Sequence, residues 1–83
     1  MTMNFQRLKP TISHEVVART LKEGITPIRA WREYVQLTQA EMAERLGISQ
    51  SAYAQQEAIE HPRKATRAKI AKALKIEADL LDF

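Results

Sequence analysis

The segment Leu37–Glu57, LTQAEMAERLGISQSAYAQQE, contains one glycine and no proline, and it constrains the fold more than any other part of the chain. A single helix through this segment would leave two good N-cap residues, Thr38 and Ser49, unused. Two helices use both of them, and Glu41 completes a capping box with Thr38. Gly47 then lies where a left-handed residue ends the first helix. The sequence therefore predicts two short helices joined by a tight turn.

The composition supports a helical chain. Hydrophobic residues make up 45% of the 83 residues, enough for one small core, and there are only 2 Gly and 3 Pro. β-branched residues are scattered, which favours helices over a sheet. The absence of cysteine excludes a disulfide framework and a Cys-based zinc finger, and it suits a reducing cytoplasm, where we expect the protein to act. No apolar run approaches the ~20 residues of a membrane span, and the N-terminus lacks the apolar region of a signal peptide.

The N-terminal third is predicted to hold a flexible segment and then two helices. Residues 1–12 show no periodicity and contain Pro10, so we expect disorder there. Ser13 can cap a first helix that ends at Gly24. The apolar side of this helix comprises Val16, Val17 and Leu21.

A second helix is indicated by Thr26-Pro27, an N-cap followed by a proline at the first helical position. Ile28, Trp31 and Val35 follow at helical spacing, so they are expected to face the core. This helix is expected to stop near Leu37.

The remaining inward positions complete a helical core. In the three later helices they are predicted to be Met42, Ala43 and Leu46, then Ala52, Tyr53 and Gln56, then Ile70, Ala71 and Leu74. Ile48 fills the space between the first two of these helices, and the last one is expected to begin near Thr66. Leu80, Leu81 and Phe83 form an apolar C-terminal turn. We therefore predict an all-α fold, a compact bundle of about five helices in one domain spanning 13–83.

The positive charge of the chain is concentrated in one block. The net charge is +3, and the stretch from His61 to Lys75 contains six Lys and Arg and no acid, whereas residues 76–83 contain three acids and no base. Such a block can attract a polyanion, although a solvated helix face would look the same. It therefore gains meaning only beside an element that reads nucleic acid.

The order of residue types in 37–57 fits a helix-turn-helix. Two helices can cross closely where a small residue (Ala43) stands four positions before Gly47 and an apolar residue and a polar second helix follow. At these residues the chain resembles the Xre/Cro-like helix-turn-helix family of phage and bacterial repressors, over roughly residues 28–81. The resemblance implies a lambda repressor-like fold and DNA binding, and it also rests on Thr38-Gln39, Ile48-Ser49 and Glu57.

The resemblance further implies a structural ion pair and reveals two departures. In such proteins an arginine of the preceding helix pairs with the acid at the position of Glu57, and Arg32 stands at the matching place. Tyr53 replaces the usual Val or Ile, and Gln56 replaces an aromatic residue or Leu. These departures suggest either looser packing of the second helix or a tyrosine with a polar role at the DNA edge.

The expected DNA contacts divide into reading and positioning. The second helix, 49–57, is expected to enter the major groove, where Gln50 can bond adenine N6 and N7. The free N–H groups at the start of the first helix can bind a phosphate, assisted by Gln39. The full set of predicted DNA-binding residues is Thr38, Gln39, Ser49, Gln50, Ser51, Ala54, Gln55, Arg63, Lys64 and Arg67.

Several partners follow from this interpretation. The expected partner is double-stranded operator DNA. We expect a homodimer to bind it, because one small DNA-binding domain has limited affinity. Residues 12–34 also resemble the segment that precedes the helix-turn-helix in antitoxins of type II toxin–antitoxin systems, which bind both DNA and a toxin protein. The alternative function is a protein-interaction module that neutralises a toxin without reading DNA.

An enzyme is the remaining alternative, and the sequence argues against it. His14 and His61 lie in different segments and form no His-x-x-x-His pair, so no metal site is expected. Neither a nucleophile elbow nor a phosphate loop occurs. We expect no catalytic residues and no cofactor.

Overall fold

The structure, a computed structural model, describes residues 14–83, and all regular secondary structure within this range is helical. The predicted flexible segment 1–12 and the predicted cap Ser13 lie outside the described residues. The elements are α1 (His14–Glu23), α2 (Pro27–Tyr34), α3 (Gln39–Leu46), α4 (Gln50–Glu57), α5 (Lys64–Leu74) and a 3-10 turn (Ala78–Leu81). The predicted all-α fold with five helices is confirmed.

The helices begin where the sequence places side-chain caps. The hydroxyls of Thr26, Thr38 and Ser49 accept hydrogen bonds from backbone N–H groups of the first turns of α2, α3 and α4. The capping box is complete, because the Glu41 carboxylate also accepts from the backbone N–H of Thr38 at 2.8 Å. The predicted helix starts are therefore confirmed at these three sites.

The start of α5 was predicted two residues too late. The helix begins at Lys64 rather than near Thr66, and Arg63 at its N-cap makes no side-chain cap bond. The helix starts two residues after Pro62, where Lys64 and Ala65 have enough helical propensity to form its first turn.

A left-handed residue follows four of the helices described, and after α1 it is the predicted Gly24, with φ +68°. After α3, Gly47 has φ +70°, its N–H donates to the carbonyl of Glu44, and the Ile48 N–H donates to Ala43. A Cβ at Gly47 would meet no atom within 4 Å, so only the backbone angle favours glycine here. After α2 and α5 the left-handed residues are Gln36 and Lys75, both with φ +63°.

The core joins all five helices. Its fully buried large residues come from α1, α2, α3, α4 and α5 in turn, and they are Val16, Ile28, Met42, Tyr53 and Ile70. Trp31 connects α2 to the C-terminal turn, since its indole N–H donates to the carbonyl of Leu80 at 2.9 Å.

The apolar side of α1 is narrower than predicted. Val16 is fully buried, but Leu21 is 80% exposed. The reason is that α1 packs mainly on α2, so only one edge of its apolar side is covered. None of the helices described is long and apolar enough to cross a bilayer.

Candidate nucleic-acid interface

The turn at Gly47 brings α3 and α4 into direct contact. Ala43 is 3% exposed at the crossing, and its carbonyl accepts the Ile48 N–H at 3.0 Å. A larger side chain at this position would separate the two helices, because both backbones approach each other there. The turn and the small residue together fix the angle of α4 relative to α3.

The carboxylate of Glu57 holds this pair of helices against α2. Arg32 donates to it twice, from Nε to Oε2 and from Nη2 to Oε1 at 3.3 Å. Gln39 at the start of α3 donates to Oε1 at 2.8 Å, and Tyr53 donates to Oε2 at 2.9 Å. One side chain at the end of α4 therefore contacts α2, α3 and its own helix.

The same network fixes the loops around α2. The third donor of Arg32, Nη1, reaches the carbonyl of Leu37 at 2.8 Å in the link to α3. The hydroxyl of Thr26, which caps α2, donates to the backbone carbonyl of Glu57 at 2.6 Å. Both links between helices are thus bonded to the residues that form the ion pair.

The ion pair is buried and satisfied. Glu57 is 3% exposed and Arg32 is 9% exposed, and no buried side-chain N or O atom of the described residues lacks a hydrogen-bond partner. Burial alone would raise the pKa of Glu57, but hydrogen bonds from Arg32, Gln39 and Tyr53 outweigh it and hold the pKa below its ordinary value. Glu57 is therefore ionised at neutral pH.

Neither explanation suggested for Tyr53 by the sequence is right. The side chain is fully buried and its hydroxyl donates to Glu57, so its polar role lies inside the core rather than at the DNA edge. Burial and the neighbouring Glu57 carboxylate raise the pKa of Tyr53, so its hydroxyl remains a donor. The Val or Ile usual at this position could not supply that hydrogen bond.

The outer side of α4 presents polar side chains to solvent. Gln50, Ser51 and Gln55 are exposed, and Ala54 is half-buried beside them. Ser49 is also exposed, but its hydroxyl is occupied as the N-cap of α4, accepting from the Ala52 N–H at 3.1 Å. The structure thus brings the predicted reading residues onto one surface.

The predicted positioning residues lie at both ends of this surface. Thr38 and Gln39 stand at the N-terminus of α3, and each already makes a hydrogen bond within the protein. Arg63 and Lys64 are exposed at the start of α5. Arg67 is half-buried, with one guanidinium nitrogen 3.4 Å from the carbonyl of Pro62.

One residue near this surface escaped the sequence analysis. Arg29 of α2 lines a cleft that also contains Gln39 and Ala54. Its side chain is 50% exposed and its Nε donates to Glu33 at 2.9 Å. The sequence offered no signal for it, because the contact depends on how α2 packs against the helix-turn-helix.

The comparisons with known proteins agree with this geometry. The model of the Helix-turn-helix family matches residues 28–81, which covers α2 through the C-terminal turn and leaves α1 outside. Searches of curated proteins and of solved structures gave no match.

Proposed function

Since this chain belongs to the Xre/Cro-like helix-turn-helix family, we propose that it is a sequence-specific transcriptional regulator that reads the major groove with α4. Members of the family are DNA-binding regulators, and this chain is one. The proposal adds the reading residues, the positioning residues and the mode of regulation.

The buried network around Glu57 carries the proposal. It uses the inner side of α4 to fix that helix against α2 and α3, and it leaves the polar outer side exposed. A helix held in this way loses little conformational entropy on entering a groove. Such rigid support has a purpose when the exposed side must match a fixed pattern of base edges.

The proposed reading residues are those on the exposed side. The amide of Gln50 bonds both groups of adenine, because its oxygen accepts from the N6 amino group and its nitrogen donates to N7. Ser51 and Gln55 reach neighbouring bases, and Ala54 contacts a thymine methyl group. The hydroxyl of Ser49 is used to cap α4, so Ser49 contributes to DNA reading by fixing the start of the reading helix.

The proposed phosphate contacts flank the reading helix. At the N-terminus of α3 the free N–H groups and the second amide hydrogen of Gln39 face one strand, with Thr38 beside them. Arg63, Lys64 and Arg67 hold the backbone on the other side. Arg29, in the cleft beside Gln39, adds a further cation.

The mode of action we propose is repression by a homodimer on a palindromic operator. One head of this size contacts few base pairs, so two-fold symmetry doubles the site and sharpens specificity. Repression follows if the bound dimer occludes a promoter.

Fluorescence anisotropy on the DNA upstream of the gene and on random duplex tests the proposal. Log affinity should fall with log salt at a slope of roughly −0.9 per phosphate contact, and the upstream DNA should bind more tightly than random duplex. Absence of binding at low salt to either DNA would contradict the proposal.

A second function, as an autoregulatory antitoxin, is favoured by one observation. α1 lies outside the family match and carries Leu21, which is 80% exposed. We propose that this edge of α1, with the chain that precedes it, is where a toxin protein would bind while α4 remains free for DNA.

Co-purification with the product of the adjacent gene tests the antitoxin function. Leu21→Asp should abolish capture and leave DNA binding intact, because Leu21 is not part of the core. Shortening the chain to Gly24 is a poorer test, since it removes the buried Val16 and the ion pair of Arg19 with Glu33 at 2.7 Å. If the full chain captures no such partner, the simple repressor is the better description.

A further inference from the structure

A second basic surface lies where α3 and α5 end. It is a groove of about 660 Å3, lined by Arg45, Leu46, Lys69, Lys72, Ala73 and Lys75, which we name the α3–α5 groove. The volume is sufficient for several side chains of a partner. The DNA contacts proposed above use none of these residues.

The α3–α5 groove lies toward the C-terminal ends of α3 and α5, whereas the proposed phosphate contacts Gln39 and Arg63 lie at the N-terminal ends. Arg67 and Lys69 are two residues apart on α5, so their side chains project about 160° apart around the helix axis. On α3, Gln39 is in the first turn and Arg45 in the last. The groove is lined by α3, α5 and the residue that ends α5, and α4 contributes none of the lining residues described.

The charge of the groove is unbalanced. Four of its lining residues are cations and none is an acid. Within residues 14–83, Lys69, Lys72 and Lys75 make no ion pair. Arg45 is held in place because its Nη1 donates to the carbonyl of Ala73 at 2.8 Å, and its remaining N–H groups are available to a carboxylate.

Some lining residues of the groove are apolar, which discriminates between anionic partners. Leu46 and Ala73 line the groove and pack against the core, and an adjoining groove that shares Lys72 and Lys75 is also lined by Ile76, Leu80 and one acid, Glu77. A phosphate backbone would gain nothing from these apolar side chains, whereas a peptide with apolar side chains would bury them there.

Lys75 points to the same surface by a different observation. It occupies the left-handed position that ends α5, with φ +63°, where glycine is the usual residue. A lysine there adds backbone strain relative to glycine. The side chain of Lys75 lines both grooves. The left-handed position therefore supplies a cation to both of them, at the junction of α5 and the C-terminal turn.

We propose that the α3–α5 groove binds an acidic segment of another protein, in which carboxylates alternate with apolar side chains. The carboxylates pair with Arg45 and the three lysines, and the apolar side chains cover the half-buried Leu46 and Ile76. This site is separate from the DNA surface, so one chain can hold DNA and an acidic partner together.

The test uses the full chain and a short synthetic peptide in which Asp and Glu alternate with Leu. Amide chemical shifts on titration should change at Arg45, Lys69, Lys72 and Lys75 and not along α4. A peptide with Ser in place of Leu, and one with Lys in place of the acids, should bind at least several-fold more weakly or not at all.

Two double variants that each remove two charges, from α5 or its N-cap, separate the two surfaces. Lys69→Gln/Lys72→Gln should weaken the peptide roughly five-fold or more, since each exposed pair contributes a factor of a few, and should weaken duplex DNA less. Arg63→Gln/Lys64→Gln should do the reverse. Lys75→Gly should weaken the peptide while preserving or raising the melting temperature, so that loss of binding is not loss of folding.

The outcomes decide the matter in either direction. Equal weakening of DNA by both double variants would make the groove part of the DNA surface and overturn the proposal. So would a Ser-containing acidic peptide that binds as tightly as the Leu-containing one, or the absence of peptide binding at low salt. DNA binding by the wild type is measured in the same series, so failure here is distinguishable from failure of the proposed function.

Discussion

Gln39 at the start of α3 and Glu57 at the end of α4, eighteen residues apart, are joined by a 2.8 Å hydrogen bond from the Gln39 amide to the Glu57 carboxylate. The bond aims the side chain proposed to hold a DNA phosphate. It also couples that side chain to the buried ion pair beneath. The interface and the core are therefore connected through one amide group.

Replacing Gln39 should affect DNA affinity and folding stability unequally. Gln39→Ala should weaken specific and random DNA alike and lower the free energy of unfolding by only about 1–2 kcal/mol, because Arg32 and Tyr53 still satisfy Glu57. Gln39→Glu should destabilise the fold more, since it places a second carboxylate beside the first. Binding titrations and urea unfolding measure the two effects, and Gln55→Ala, an exposed site, is the control for stability. Unchanged DNA affinity in Gln39→Ala would remove this residue from the interface.

The Arg32–Glu57 pair should behave as a buried unit. Arg32→Ala or Glu57→Ala should each cost about 3 kcal/mol or more, because each leaves an uncompensated charge in the core. The double variant should cost less than the sum of the single ones. Thermal and denaturant melting measure this, and DNA affinity should fall with stability. Wild-type melting in both single variants would mean that the pair contributes nothing to the fold.

Tyr53→Phe isolates the hydroxyl from the ring. The ring continues to fill the core, and only the donor to Glu57 is lost, so the free energy of unfolding should fall by about 1–2 kcal/mol. Tyr53→Val should cost more, because it also leaves a cavity. Denaturant unfolding distinguishes the two variants. A Phe variant as stable as the wild type would show that Arg32 and Gln39 satisfy the carboxylate without it.

The stability should depend on pH through Glu57. Its pKa in the folded protein lies below the ordinary 4.5 of the unfolded chain. The folded state therefore binds fewer protons than the unfolded state, and the stabilisation from Glu57 is complete above the pKa of the unfolded chain. It is lost as the pH falls through the lowered pKa. The difference in unfolding free energy between wild type and Glu57→Gln should therefore narrow below pH 4.5. A difference that stays constant into acid would exclude Glu57 as the titrating group.

Reading and positioning residues should differ on two kinds of DNA. Gln50→Ala should lose about 1–3 kcal/mol on the specific site and little on random duplex, because a base contact discriminates. Arg63→Ala and Lys64→Ala should weaken both DNAs alike. Parallel anisotropy titrations at one salt concentration measure the ratio. Equal losses for Gln50→Ala on both DNAs would transfer this residue to the backbone contacts.

Local chemistry allowed much of the fold to be predicted. The hydroxyls of Thr26, Thr38 and Ser49 cap their helices, and Gly47 adopts a positive φ that few other residues adopt. Short-range interactions therefore set the starts of α2, α3 and α4 and the end of α3. α5 escaped this reasoning because it begins without a side-chain cap.

The sequence by itself determined the all-helical class, the starts of α2, α3 and α4 and the helix-turn-helix spacing, because these depend on neighbours within about one turn. Only the tertiary structure decided what Tyr53 and Gln39 do, since both donate to a carboxylate that the packing of α2, α3 and α4 brings to them. It also decided that Leu21 is exposed and that Arg45 meets the lysines of α5. Contacts between residues distant in the chain depend on how the helices pack. Side-chain periodicity indicates which side of a helix is buried, but it does not indicate which residues of other helices that side contacts.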